Sequence, residues 1–140
     1  QVVEFAQPTR TCAEAAATIG CSVAEIAKSV VFRGKASGQA VVVVASGDNR
    51  VCENKISHLV GEKLGRADAD FVRQATGYAI GGIPPLAHAQ PLTPIIDRNL
   101  LQYETVYAAG GTPHAMFPIT PADLVRVAGG TVADIAAPTS

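Results

Sequence analysis

The 140-residue chain has the length of one domain, spanning residues 1–140, and its 48% hydrophobic content can supply a core. Aromatic residues make up only 5%, so small aliphatic side chains and close backbone approach must do most of the filling. A net charge of -1 excludes the broad basic face that grips a duplex, and any nucleic-acid contact is expected to be local.

The longest apolar core, Ala40 to Ala45, is strand-sized and far short of a membrane span. No charged-then-apolar leader opens the chain, so the expected compartment is the cytoplasm, without membrane association. Gln1 leads directly into Val2, Val3 and Phe5, which read as a strand, as in a sequence that begins inside a longer protein. Cys12, Cys21 and Cys52 have no metal-ligand spacing, and any single pairing leaves one over. Reduced, semi-buried thiols are expected.

In chain order, Thr11-Cys12-Ala13-Glu14 has the form of a capping box before an Ala-rich helix that stops at Gly20. Ser22-Val23-Ala24-Glu25 repeats it and predicts a second short helix running into Lys28-Ser29. Val30, Val31 and Phe32 then read as a strand, with a turn over 34–38 and a buried strand over 39–45. So short a link predicts an antiparallel hairpin. Asn54 is expected to cap a helix that Gly61 ends, Leu64 to Ala67 a short strand, and Asp68 to cap a helix that Gly77 ends. Between Gly77 and Pro94, proline and glycine are too dense for a continuous element. Leu92 to Ile96 contains Pro94, which predicts an edge strand or a bulge. Strands over 105–109 and 115–119 follow, then a helix with Thr120 as cap and Pro121 at its first position, closed by Gly129-Gly130. A final strand is expected over 131–135. Several links are too short for right-handed crossovers. The expected fold is mixed α/β (α+β), a curved, largely antiparallel mixed sheet of about six to seven strands surrounded by helices.

The chain has no G-x-S-x-G elbow, H-E-x-x-H, paired C-x-x-C, Walker loop or G-x-G-x-x-G, and His58, His88 and His114 lack metal-ligand spacing. No metal or cofactor is expected. Two features stand out. Lys28, at the expected helix-to-strand step, can hold an anionic or carbonyl oxygen; a lysine there is also what a helix C-terminus favours by itself. In Thr76-Gly77-Tyr78-Ala79-Ile80-Gly81-Gly82-Ile83-Pro84-Pro85, paired glycines let backbone approach a ligand and present N–H groups to an oxyanion, although an ordinary surface turn has similar composition. Gly110-Gly111-Thr112-Pro113-His114 is a weaker case of the same kind.

In order along the chain, P-T-R-T (8–11), I-A-K-S (26–29), T-G-Y-A-I-G-G-I-P-P (76–85), P-I-I-D (94–97), T-V-Y-A-A-G-G (105–111), T-P-A-D-L (120–124) and V-A-D-I (132–135) resemble the YbaK/ProX family of aminoacyl-tRNA deacylases, related to the editing domain of bacterial prolyl-tRNA synthetases. The T-G-Y-x-x-G-G-x-x-P loop downstream of a K-S step is the specific part. The resemblance implies a YbaK/ProRS editing-domain-like fold and the trans-editing hydrolysis of a mischarged tRNA, with the aminoacyl-tRNA acceptor end as partner and prolyl-tRNA synthetase as a second candidate. It puts the catalytic role on Lys28, Gly81 and Gly82. Substrate-binding roles fall on Lys28, Ser29, Ile80, Ile83, Pro84 and His114, the last resembling a histidine of the alanine-clearing branch.

An aminoacyl ester is already activated, so positioning and oxyanion stabilisation can carry its hydrolysis without a protein nucleophile. Pro84 stands where many relatives have a serine. The acidic residue of the cysteine-clearing branch falls near Met116, and a tyrosine of that branch near Phe5. The expected substrate is therefore a small amino acid such as alanine on tRNA for proline. The alternatives are cysteinyl-tRNA, a non-catalytic module binding the tRNA end or a synthetase, and a general hydrolase of small acyl esters.

Overall fold

The computed structural model describes residues 3–4, 12–77, 94–109 and 115–137. Among these, the element order is β1 (Val3–Glu4), α1 (Cys12–Ile19), a 3₁₀ turn (Val23–Glu25), β2 (Ile26–Gly34), β3 (Ala40–Ser46), α2 (Glu53–Val60), β4 (Leu64–Arg66) and α3 (Ala69–Thr76). After the loop come β5 (Ile95–Asp97), a 3₁₀ turn (Arg98–Gln102), β6 (Val106–Ala109), β7 (Ala115–Ile119), α4 (Pro121–Ala128) and β8 (Thr131–Ala133).

The strands form one sheet in the order β1-β7-β6-β2-β3-β5-β8, with β4 also on β2. The β2–β3 hairpin is its spine, antiparallel without interruption from Ala27↔Ser46 to Arg33↔Ala40. Three pairings are parallel, β2–β6, β3–β5 and β5–β8, and the other three, β1–β7, β2–β4 and β6–β7, are antiparallel. The mixed α+β architecture expected from the short links is the one observed. The sheet has eight strands, more than expected, because it counts the two-residue β1 and the three-residue β4.

Both faces are covered. On one, Ala27, Val44, Ile96, Leu100, Val106, Ala108 and Leu124 form a cluster under α4 and the Arg98–Gln102 turn. The Arg33 guanidinium, 5.0 Å from the Phe71 ring centroid, ties α3 to β2. On the opposite face, α2 covers Val43, Ala45 and Ile95 through Ile56, and α1 covers Ile26 and Met116 through Ala15 and Ala16.

Two expectations are corrected. The second helix is only the 3₁₀ turn Val23–Glu25, and the chain is already β at Ile26. Glu25 does return to Ser22, its carboxylate accepting from the Ser22 N–H at 2.9 Å and its Oγ at 3.0 Å. One turn is all that follows, because the β-rich run from Val30 to Phe32 extends the hairpin ladder back to Ala27, and Ile26 pairs with Tyr107 of β6. The second correction is β5, which lies between β3 and β8 rather than at an edge. Pro94 precedes the strand, so its missing N–H costs the ladder nothing, while its carbonyl accepts from Thr131 N–H at 3.0 Å.

Most remaining boundaries fall within a residue or two of expectation, although Asn54 lies inside α2, whose cap position is Cys52. Asp68 caps α3 by accepting from Phe71 N–H at 2.8 Å, and Thr120 caps α4 by accepting from Asp123 N–H at 3.2 Å. Gly61, Gly77 and Gly129 end α2, α3 and α4 in the left-handed conformation. Glu62 braces the β2–β3 turn, accepting from Ala36 N–H, Ser37 N–H and Ser37 Oγ at 2.8–2.9 Å.

Leu124 is fully buried whereas Leu101 is 44% exposed. Leu124→Ala should cost about 2–5 kcal/mol in urea denaturation, and Leu101→Ala no more than about 0.5 kcal/mol. The hydrogen bonds from Ser37 and Ala36 hold the Glu62 carboxyl below its ordinary value of 4.5. A depressed carboxyl stabilises the fold above its unfolded pKa, and that contribution disappears as pH falls through the folded pKa. Glu62→Gln should thus be less stable than wild type near neutrality, with the two melting curves converging as the pH falls through the lowered Glu62 pKa.

Candidate functional site around Lys28

Lys28 sits inside β2, opposite Ala45 of β3, and is half-buried. This placement removes the helix-terminus explanation for a lysine here, since no helix ends at it. On β2 successive side chains alternate faces. Lys28 therefore shares a face with Ile26, Val30 and Phe32, in the interval between the cluster under α1 and the cluster under α2.

The sheet register builds the surroundings. Val43↔Ile95 and Val44↔Ile96 put Asp97 level with Ala45, so Lys28, Ala45 and Asp97 form one cross-strand row on one face. Two strand spacings separate the ends of that row by roughly 10 Å. Ala45, fully buried between them, packs in the cluster under α2. Asn49, from the loop after β3, joins the two ends of the row. Its backbone carbonyl accepts from Lys28 Nζ at 2.7 Å, and its carboxamide Nδ2 donates to Asp97 Oδ2 at 2.8 Å. Asp97, only 1% exposed, also accepts from Ser46 N–H and Asn99 N–H, both at 3.0 Å. The loop itself is pinned by Gly47 N–H to the Ile26 carbonyl at 2.7 Å and Asn49 N–H to the Ser46 carbonyl at 3.0 Å.

In the other direction, Ala27↔Ala108 puts Ala109 level with Lys28, and Ala109 pairs with Met116. The β2–β6 ladder ends at Ala27, and β4 occupies the same β2 edge only from Phe32 to Gly34. Among the described residues, positions 28–31 of that edge have no ladder partner. An ammonium thus stands beside a stretch of backbone able to donate and accept. An ammonium also has three donors, and the Asn49 carbonyl takes one.

Ser29 faces the other way. It lies opposite Val44 over the Leu100–Leu124 cluster, and its Oγ is buried without a hydrogen-bond partner among the described residues. The structure therefore does not bring the Lys28 ammonium and the Ser29 hydroxyl together. Ile80, Gly81, Gly82, Ile83 and Pro84, and likewise Phe5, Gly110, Gly111 and His114, lie outside the described residues. β6 ends at Ala109, level with Lys28, and β7 begins at Ala115. Met116 is 6% exposed and packs on Ala15, Ala16 and Ile26, so the neighbouring wall on this face is apolar.

Asn49 was not among the residues singled out by sequence reasoning, and Asp97 entered only as the last letter of a matching stretch. A polar Gly-Asp-Asn tip after a buried strand is an ordinary turn composition, so only the register reveals what it bridges. Further along this end of the sheet, burial pushes the Tyr103 phenol up, and the carboxylates of Asp48, Glu25 and Asp97 push it the same way. Burial likewise raises the Cys21 thiol, with Glu25 adding to it; Cys21 and Cys52 are both free. Among the described residues no group of three or more His, Cys, Asp or Glu could hold a metal, and no helix is long and apolar enough to cross a membrane.

The family model for the aminoacyl-tRNA editing domain matches residues 6–127. The chain belongs to this family, as its resemblance to YbaK/ProX proteins implied. Among curated proteins it is similar to the uncharacterized protein YwhH of Bacillus subtilis (strain 168), 34% identical over 88% of this chain and 78% of that one. Among solved structures it is similar to one described as a candidate trans-editing enzyme for prolyl tRNA synthetase. That match has a TM-score of 0.92 and 45% identity, and covers 99% of this chain and 87% of the other. A hypothetical protein, APE2540, is similar with a TM-score of 0.89 and 37% identity, over 98% of this chain and 91% of its own.

Because Ala45 is fully buried in the cluster under α2, Ala45→Leu should overpack it and cost about 1–3 kcal/mol in chemical denaturation.

Proposed function

We propose that this chain is a trans-editing aminoacyl-tRNA deacylase, cleaving the ester of a small amino acid, alanine foremost, on tRNA for proline. The observation that carries the reading is Lys28: an ammonium fixed in mid-strand beside a backbone edge that has no ladder partner among the described residues, in a chain of the aminoacyl-tRNA editing family. The similarity to a candidate trans-editing enzyme for prolyl tRNA synthetase supports the choice of tRNA.

In this mechanism water attacks the carbonyl carbon of the aminoacyl ester. The bond from that carbon to the ribose oxygen breaks, and the ribose oxygen leaves with a proton. The two Lys28 donors not used by Asn49 hold a carbonyl or an oxygen of the terminal adenosine. Backbone N–H groups of Gly81 and Gly82 receive the developing oxyanion, a role assigned by family resemblance. Ile80, Ile83, Pro84 and His114 bound the amino-acid pocket on the same basis, and the ribose hydroxyl adjoining the ester relays the proton, taking one from the attacking water as it passes its own to the departing ribose oxygen. No metal or cofactor is required by this scheme.

Selectivity follows from size. A pocket too small for the proline ring rejects it by steric clash, which discriminates more strongly than the roughly 1–3 kcal/mol of one methylene. The apolar Met116 wall, where the cysteine-clearing branch places an acid, supports alanine over cysteine. The near-neutral net charge suits recognition of the single-stranded acceptor end rather than the duplex. The cytoplasm, where charged tRNA is used, is the proposed compartment.

A panel of alanyl, cysteinyl, seryl, threonyl and prolyl esters on tRNA for proline tests this. Alanyl-tRNA should be cleaved fastest and prolyl-tRNA negligibly, and Lys28→Ala should lower the alanyl rate by roughly 10²-fold or more with the fold intact. Fastest cleavage of the cysteinyl ester would transfer the assignment to that branch. Absence of cleavage across the panel, with tRNA still bound, would make the chain a binding module. Equal cleavage of free acyl esters would make it a general esterase.

A further inference from the structure

We propose that Asn49 and Asp97 are positioning residues that fix the Lys28 ammonium for the deacylation step. This inference rests on the deacylase reading and deepens it.

The argument begins with reach. Lys28 and Asp97 lie at the ends of a three-residue row, roughly 10 Å apart at the backbone, with Ala45 between them. Asn49 spans the interval by using both of its functional ends. Its carboxamide is held by the buried carboxylate, and its backbone carbonyl holds the ammonium. Asp97 is itself immobile, its two oxygens accepting from Ser46 N–H, Asn99 N–H and Asn49 Nδ2. The chain of contacts therefore runs from a buried anchor on β5, through one loop residue, to the cation on β2.

A lysine stem has four carbons of free rotation and its ammonium is a point charge without a built-in direction. Holding one of its three donors at a fixed acceptor confines the other two, so the orientation is set before a substrate arrives. The Asn49 backbone carbonyl survives any side-chain substitution. What the side chain supplies is the location of that carbonyl, through its grip on Asp97. A fault in the grip should therefore appear in the chemical step, where the ammonium must be oriented, more than in the binding of a tRNA that touches much else.

The test is a double-mutant cycle on alanyl-tRNA hydrolysis with Asn49→Ala and Lys28→Ala. Asn49→Ala should lower kcat by about tenfold or more with little change in KM, and should have no further effect in the Lys28→Ala background. Unchanged kcat in Asn49→Ala, or effects that multiply in the double variant, would overturn the proposal. Asn49→Ser, too short to reach Asp97, should behave as Asn49→Ala does and replaces it if that variant does not fold.

An arm independent of activity follows the Lys28 ammonium by nitrogen-15 NMR. Its protons should be slowed in exchange and resolvable in wild type, and lost to exchange in Asn49→Ala; the same signal in both would refute positioning. If wild type cleaves none of the esters, the functional reading fails while this second arm still decides whether Asn49 and Asp97 hold Lys28.

Discussion

The register of the β2–β3 ladder is the constraint on which the candidate site depends. In a strand the side-chain period is two, so a slip of one residue would send Lys28 to the Leu124 face and bring Ser29 to the Asn49 side. Here the register is defended from both faces at once. Ala27 and Val44 are committed to one core and Val43 and Ala45 to the other, and each would be misplaced by a slip. A lysine placed between two apolar clusters thus acquires a fixed address from residues that have no chemistry of their own.

Around that spine the parallel pairings bring in the distant parts. β5 arrives beside β3 and delivers Asp97; β6 arrives beside β2 for two residues and then parts from it. The parting leaves backbone unpaired among the described residues next to the ammonium, which is where a ligand with an ester carbonyl and ribose hydroxyls would find both donors and acceptors. A buried carboxylate with three hydrogen bonds, a small residue beside it and an asparagine that joins it to a lysine are ordinary components. Their alignment in one row makes them a unit.

Much of this was legible in the residues. Gly61, Gly77 and Gly129, Asp68, and Thr120 with Pro121 mark helix ends because backbone geometry and capping are local, and the structure uses all of them in those roles. The hairpin was legible for the same reason. The segment from Ser22 to Ser29 was misread because its capping signal is local, while the pull of the neighbouring strands on Ile26 to Ser29 is not. Pro94 suggested an edge, since composition cannot say on which side of a strand's first residue a proline falls. Lys28 was identifiable as a candidate, but its partners were not. Asn49 and Asp97 stand 21 and 69 positions further along the chain (49 − 28 and 97 − 28), and only the pairing of β3 with β5 brings them together.

That separation has a consequence for how the protein becomes competent. Contacts between residues far apart in sequence form late, after the entropy of closing long loops has been overcome. During synthesis on a ribosome, the hairpin bearing Lys28 can form while β5 is still unmade, but the ammonium has no bracket until Asp97 has emerged and docked. The row from Lys28 to Asp97 is therefore complete only when the sheet is, and a chain arrested before β5 would carry the lysine without the anchor that holds Asn49.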